Sequence, residues 1–170
     1  MQPLKPINSQ LPFDEQQLTE FWKSINTFSF TRGKIPLHHL LMHAAYHFRE
    51  EKDVEINIMS FSIGEDALRA VLFIKEHLPA VQIRVILDSS CRSNKMNYLI
   101  PFQEQCDVRF NHIHVKAFQV TSPIAPGMLL ISSANLQSKD RWEIHNKYLD
   151  YGDNMVFTQE FNRIWNESAP

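Results

Sequence analysis

The run Asn111-His112-Ile113-His114-Val115-Lys116-Ala117-Phe118 sets two imidazoles and an ammonium at alternate positions. Ser132-Ser133-Ala134-Asn135 closes a separate apolar run, Met128 to Ile131. On extended backbone successive side chains alternate faces, so His112, His114 and Lys116 are expected on one side and Ile113, Val115 and Ala117 on the other. The same period puts Ser133 and Asn135 on a common side. Two strand ends would then present imidazole, ammonium, hydroxyl and amide to one small volume, a set able to bind an anion and move a proton.

Elements to position these groups are legible along the chain. After an irregular arm at 1–13, Asp14 to Trp22 reads as a short amphipathic helix opened by acidic residues. Pro36 suits the first turn of a helix running to about Arg49. Val54 to Phe61 alternates as a strand, Ala67 to Ile74 is a helix ending before Pro79, and Val81 to Asp88 is a second strand. This strand-helix-strand unit implies a parallel pair. A helix over Asn94 to Gln105 interrupted by Pro101, strands over Val108–Val120, Met128–Ser132 and Met155–Phe157, and a short helix over Gln159–Asn166 complete the reading. The fold class expected is α/β, with a mixed, largely parallel sheet flanked by helices. Residues 1–50 are taken as an arm and helices packed on the same domain, and 51–170 as the α/β domain proper.

The chain has 170 residues, 44% of them hydrophobic, enough for one compact core, and a formal net charge of −2. That balance argues against a strongly basic nucleic-acid coat. Between Ser89 and Asp150, however, seven Lys/Arg face five Asp/Glu, a local bias that permits a phosphate ligand. Cys91 and Cys106 form no Cys-x-x-Cys pattern and read as two reduced thiols, in keeping with a cytoplasmic protein. The N-terminal residues lack the apolar stretch of a secretory signal, and no run approaches membrane-spanning length, so no membrane partner is expected.

His114-Val115-Lys116 followed by Ser132-Ser133-Ala134-Asn135 resembles the H-x-K … G-S-x-N signature of the phospholipase D superfamily, with further likeness over roughly residues 54–167. One copy of the signature in so short a chain is similar to the small single-motif nucleases of that superfamily, which complete one active site from two protomers. The resemblance implies roles residue by residue. His114 would attack phosphorus, with the partner protomer's imidazole protonating the leaving oxygen. Lys116, Ser133 and Asn135 would hold non-bridging oxygens, and Glu143 would orient an imidazole. No metal or other cofactor is implied. Three positions depart from the pattern: Thr121 stands where the motif has Asp, Ser132 where it has Gly, and Glu143 lies close to Asn135.

The resemblance therefore implies a metal-independent phosphodiesterase of nuclease type, working as a homodimer on nucleic acid, with DNA favoured over RNA. The alternative is a catalytically degenerate module of the same fold that binds nucleic acid or phosphate but has lost turnover through the change at Thr121. Lipid is disfavoured as substrate because the chain shows no exposed amphipathic membrane segment.

Other residues were weighed against blander roles. Lys139, Arg141 and Trp142 are candidates for substrate contact, as are Arg92 and Lys95. Trp142, Trp165 and the many phenylalanines could serve as base-stacking platforms, but core packing is the stronger expectation, with Trp142, between Arg141 and Glu143, the one to test. His39, His43 and His47, at spacings of four, align on one helix face with His38 beside them. That geometry admits a metal, but no H-E-x-x-H glutamate accompanies it, so packing is preferred. Thr31-Arg32-Gly33-Lys34 reads as a solvated turn, and Asp88 as a cap in Asp-Ser-Ser.

Overall fold

The computed structural model describes residues 11–24, 27–32, 35–125, 127–136 and 142–170. Branched apolar residues at alternate positions make strands of Glu55–Ser60 (β2) and Gln82–Asp88 (β3), which pair in parallel with Ile56 beside Ile83 and Ile58 beside Val85. The helix between them, Glu65–His77 (α3), carries Glu65 and Asp66 in its first turn and Lys75 and His77 in its last, each opposing the dipole at its end. Two short helices, Cys91–Asn94 (α4) and Met96–Gln103 (α5), then lead to Asp107–Asn111 (β4), which joins β3 in parallel.

Phe28–Arg32 (β1), Ala117–Thr121 (β5), Met128–Ser132 (β6) and Trp142–Tyr148 (β7) complete a seven-stranded sheet of order β1-β7-β6-β5-β2-β3-β4. The sheet is mixed, but its parallel part is confined to β2, β3 and β4. The other four pairings are antiparallel, so the parallel share is smaller than expected. The cause is connection length: β5, β6 and β7 follow one another through links too short for the crossover that parallel strands require.

One face of the sheet is the main core. Ile56, Ile58, Ile83, Val85, Phe118, Val120 and Leu130 meet the helices Glu15–Lys23 (α1) and Leu37–His47 (α2) together with α3 and α5. Phe13, Leu18, Phe21, Trp22 and the buried residues of α2 thus share the core of the strands that follow, and β1 lies in the same sheet. The opposite face carries a single helix, Tyr151–Glu167 (α6), opened by Asp150, whose side chain accepts the Asp153 N–H. Met59, Ile86 and Phe161 pack there beside a buried polar network. Asn57 donates to Gln119, Gln119 donates to the Asn154 carbonyl, and Arg84 donates to Asn57 and Asn162. Each buried amide is satisfied by a neighbour on another element, so the network fixes α6 in register on the sheet.

Several elements differ from the sequence reading. Val108–Val120 is two strands, β4 and β5, at different places in the sheet. Met155–Phe157 belongs to α6, because the Asp150 cap starts the helix well before it. Finally, β1 and β7 were not anticipated. In β7 the residues that face the core are His145 and Lys147, while Trp142, Ile144 and Tyr148 alternate on the other face, so its pattern is the reverse of a core-facing strand.

Candidate active site

The crossing from β4 to β5 determines where the H-x-K residues lie. In the strand order these two are separated by β3 and β2, three spacings of about 4.8 Å, or roughly 14 Å. Residues 112–116 cover that distance over the C-terminal ends of the parallel strands, well within the roughly 20 Å that the six steps from Asn111 to Ala117 could reach when extended. The row of His112, His114 and Lys116 is therefore a strap laid over the strand ends rather than part of a strand. It is pinned by Asp88 at the end of β3, whose Oδ2 accepts the Ile113 N–H at 3.2 Å while Oδ1 accepts the Ser90 N–H at 3.0 Å. Asp88 thus braces the turn that leads into α4, whose N-cap is Ser90. Desolvation works against its charge, but hydrogen bonds from Ser90 and Ile113, with His112 nearby, outweigh it and hold the carboxyl below its ordinary range.

On this strap His112 is exposed, Ile113 packs against the Met59–Ile86–Phe161 cluster and His114 faces solvent. Lys116 is 9% exposed. Its Nζ lies 3.3 Å from His114 Nε2 and 5.6 Å from the centroid of Phe61, and the His114 ring meets the edge of Phe61 at 4.7 Å. An ammonium has only donors, so in this contact the imidazole nitrogen serves as the acceptor.

The second half of the signature adjoins through the backbone. Ala117 stands opposite Ile131, and the Ser132 N–H donates to the Lys116 carbonyl at 2.8 Å. Ser133 and Asn135 follow at the end of β6. The Ser133 hydroxyl donates to Glu143 Oε2 and accepts the Ile144 N–H at 3.0 Å. Asn135 Oδ1 is buried with no hydrogen bond among the described residues. His114 with Lys116, and Ser133 with Glu143, are therefore two contacting pairs joined across adjacent strands. Lys139 and Arg141 lie outside the described residues, as do Gly33 and Lys34. Trp142, at the start of β7, is 67% exposed and is no core residue, whereas Trp165 stacks on Phe161 beneath Arg84 and Arg109.

Arg92 donates to the Pro170 carbonyl and lies over the Phe110 ring, tying the C-terminal residues to β4. Thr121 closes the far end of β5 opposite Glu55, some 17 Å along the strand from Lys116. The change from the motif's Asp therefore falls away from the site. Among the α2 histidines, His38 and His43 are buried and burial lowers both, His38 to about 4. His43 Nε2 lies 3.2 Å from the Thr19 hydroxyl. With His47 it lines a cavity of about 520 Å3 between α1, α2 and the start of β6, at the opposite end of the sheet. No group of three or more His, Cys, Asp or Glu placed to hold a metal occurs among the described residues.

One residue at the site escaped the sequence reading. His145, fully buried on β7, sits between the Thr31 hydroxyl at 3.0 Å and the Ser132 hydroxyl at 2.9 Å. Ser132 in turn accepts the Ala134 N–H. Burial pulls His145 down to about 4, against the pull of Glu143. Its neutral ring braces Ser132 and, through it, the backbone carrying Ser133 and Asn135. The available signal was the period-two row Glu143, His145, Lys147, which places all three on one face of a strand.

This architecture is the mixed α/β fold of the phospholipase D type, with the signature residues gathered at the C-terminal end of its parallel strands. No protein-family model and no curated protein matches the sequence. Among solved structures, the polyphosphate kinase of Porphyromonas gingivalis superposes with a TM-score of 0.65 at 12% identity, over 94% of this chain and 29% of the kinase. NucT from Helicobacter pylori superposes with a TM-score of 0.61 at 12% identity, over 84% of this chain and 97% of NucT. At such identities the likeness is one of fold. No described helix is long and apolar enough to cross a membrane.

Proposed function

We propose that the chain is a phosphodiesterase of nuclease type, acting on nucleic acid with a site completed by a second copy. The observation that carries the reading is the His114–Lys116 pair, nitrogen to nitrogen 3.3 Å, held over the strand ends beside Ser133 and Asn135. In the ligand-free chain Lys116 occupies the lone pair of Nε2. An arriving phosphodiester offers the ammonium a stronger acceptor, its non-bridging oxygen, and releases that lone pair. His114 Nε2 then forms a bond to phosphorus as the P–O bond to the leaving alkoxide breaks, and the partner subunit's His114 gives that alkoxide its proton. The same partner imidazole next takes a proton from water, whose oxygen displaces His114 and ends the cycle. Lys116 and the Asn135 amide hold the charge that grows on the non-bridging oxygens, so no step is assigned to a metal.

The test is cleavage of single- and double-stranded DNA and RNA in the presence of a chelator. His114→Ala should lower the rate by about 10^3-fold or more while folding as the parent does. Cleavage by that variant at the parental rate would overturn the assignment.

A second reading, a module that binds nucleic acid or phosphate without turnover, draws on one observation. Glu143, the expected orienter of an imidazole, accepts a hydrogen bond from Ser133. Salt-sensitive binding without cleavage would favour it.

A further inference from the structure

Among the described residues, the sheet face that carries α6 is exposed along β1 and at the start of β7. Thr31 and His145 point to the core, so the intervening residues of both strands point the other way. They pair in register as Arg32 with Trp142, Phe30 with Ile144 and Phe28 with Asn146. Three of these are large aromatic side chains in solvent: Trp142 at 67%, Phe30 at 63% and Phe28 at 55%. Trp142 immediately precedes Glu143, the partner of Ser133, so the aromatic row begins at the candidate site and runs away from it along the sheet.

From this row we infer that the chain takes its nucleic acid as a single strand, with bases laid on Trp142, Phe30 and Phe28 while the backbone enters the site. The inference rests on the nucleic-acid reading above but not on turnover. Alternate residues of a strand stand about 6.6 Å apart, close to twice the 3.4 Å step of a stacked strand. Phe28 and Phe30 have their ring centroids 6.2 Å apart and nearly perpendicular, which leaves each ring a face of its own rather than a mutual stack. Arg32 stands directly across from Trp142 at the site end of the row and adds positive charge there. A duplex keeps its base faces inside its own stack and cannot use such a platform, whereas any single strand can, whatever its sequence.

The test uses the full chain carrying His114→Ala, so that cleavage does not consume the probe, with a fluorescent 12-nucleotide single strand and a duplex of the same length as probes. Anisotropy at fixed salt should show the single strand bound more tightly. Adding Phe30→Ala or Phe28→Ala should weaken single-strand binding by about 5- to 100-fold and leave duplex binding within about twofold. Phe30→Leu retains the apolar bulk of the edge strand and should show most of the same loss, which separates stacking from a damaged fold. Equal weakening for both probes, or none, overturns the inference. So does unchanged binding with a dimer that falls apart in sedimentation, which would assign the row to contact with a second copy. Failure of the phosphodiesterase reading would appear separately, as absent cleavage by the parent chain.

Discussion

His145 makes the structure testable without any substrate. In the folded chain burial holds it at about 4, whereas in the unfolded chain it returns to about 6.5. Because the folded pKa is the lower one, the unfolded chain takes up the extra proton between those limits. The stability owed to the neutral ring is therefore complete above pH 6.5 and is lost as the pH falls towards 4. From pH 7.5 to 5.0 the linkage relation gives a loss of about 2 kcal/mol from this group alone. His145→Gln offers an amide to Thr31 and Ser132 but cannot titrate. Urea unfolding at both pH values should find the variant less stable at pH 7.5 by about 1–3 kcal/mol, with the deficit narrowing by about 2 kcal/mol at pH 5.0. His38, also lowered by burial, contributes equally to both proteins and cancels in the difference. Parallel losses in parent and variant, with the gap constant to within about 0.5 kcal/mol, would show that His145 is not a buried neutral ring.

Two further outcomes follow from named contacts. Lys147, 6% exposed, donates from Nζ to the carbonyls of Phe21, Trp22 and Ser24 at the end of α1. Lys147→Met should leave those acceptors without their donor and lower the Tm by roughly 5–15 °C in calorimetry; an unchanged Tm would mean that the contacts do not hold α1 to the sheet. Thr121→Asp recreates the motif's aspartate but places it opposite Glu55, so cleavage should stay within about twofold of the parent while stability drops by up to about 1 kcal/mol. A large gain in rate would show that position 121 acts on the site after all.

What could be read from the residues and what could not divides along physical lines. β2, α3, β3 and β6 are legible because local periodicity and long-range packing agree: Ile56, Ile58, Ile83 and Val85 alternate and are buried. The candidate residues stand out by type and order, and the structure sets His114 against Lys116 and Ser133 against Glu143. Their backbone was misread, since alternation in a sequence cannot distinguish a strand from an extended crossing over strand ends. β7 was hidden because its core-facing residues, His145 and Lys147, are polar groups satisfied by partners more than 100 positions earlier in the chain, Thr31 and the end of α1. Such a strand becomes visible only once its acceptors are in place. Trp142 was weighed as a core residue on aromatic habit, yet its position opposite His145 in the pleat turns it outward.

The strap over the strand ends is short and tied down. Five residues bridge three strand spacings, anchored by the Asp88 carboxylate at Ile113 and by the sheet on either side. Its geometry is therefore dictated by the spacing of β2 and β3 beneath it more than by its own side chains. A one-residue deletion would pull the imidazole out of line, an insertion would buckle it upward, and anything that pries those two strands apart would be felt first at His114. The placement of His114 is, in effect, a gauge of the integrity of the sheet.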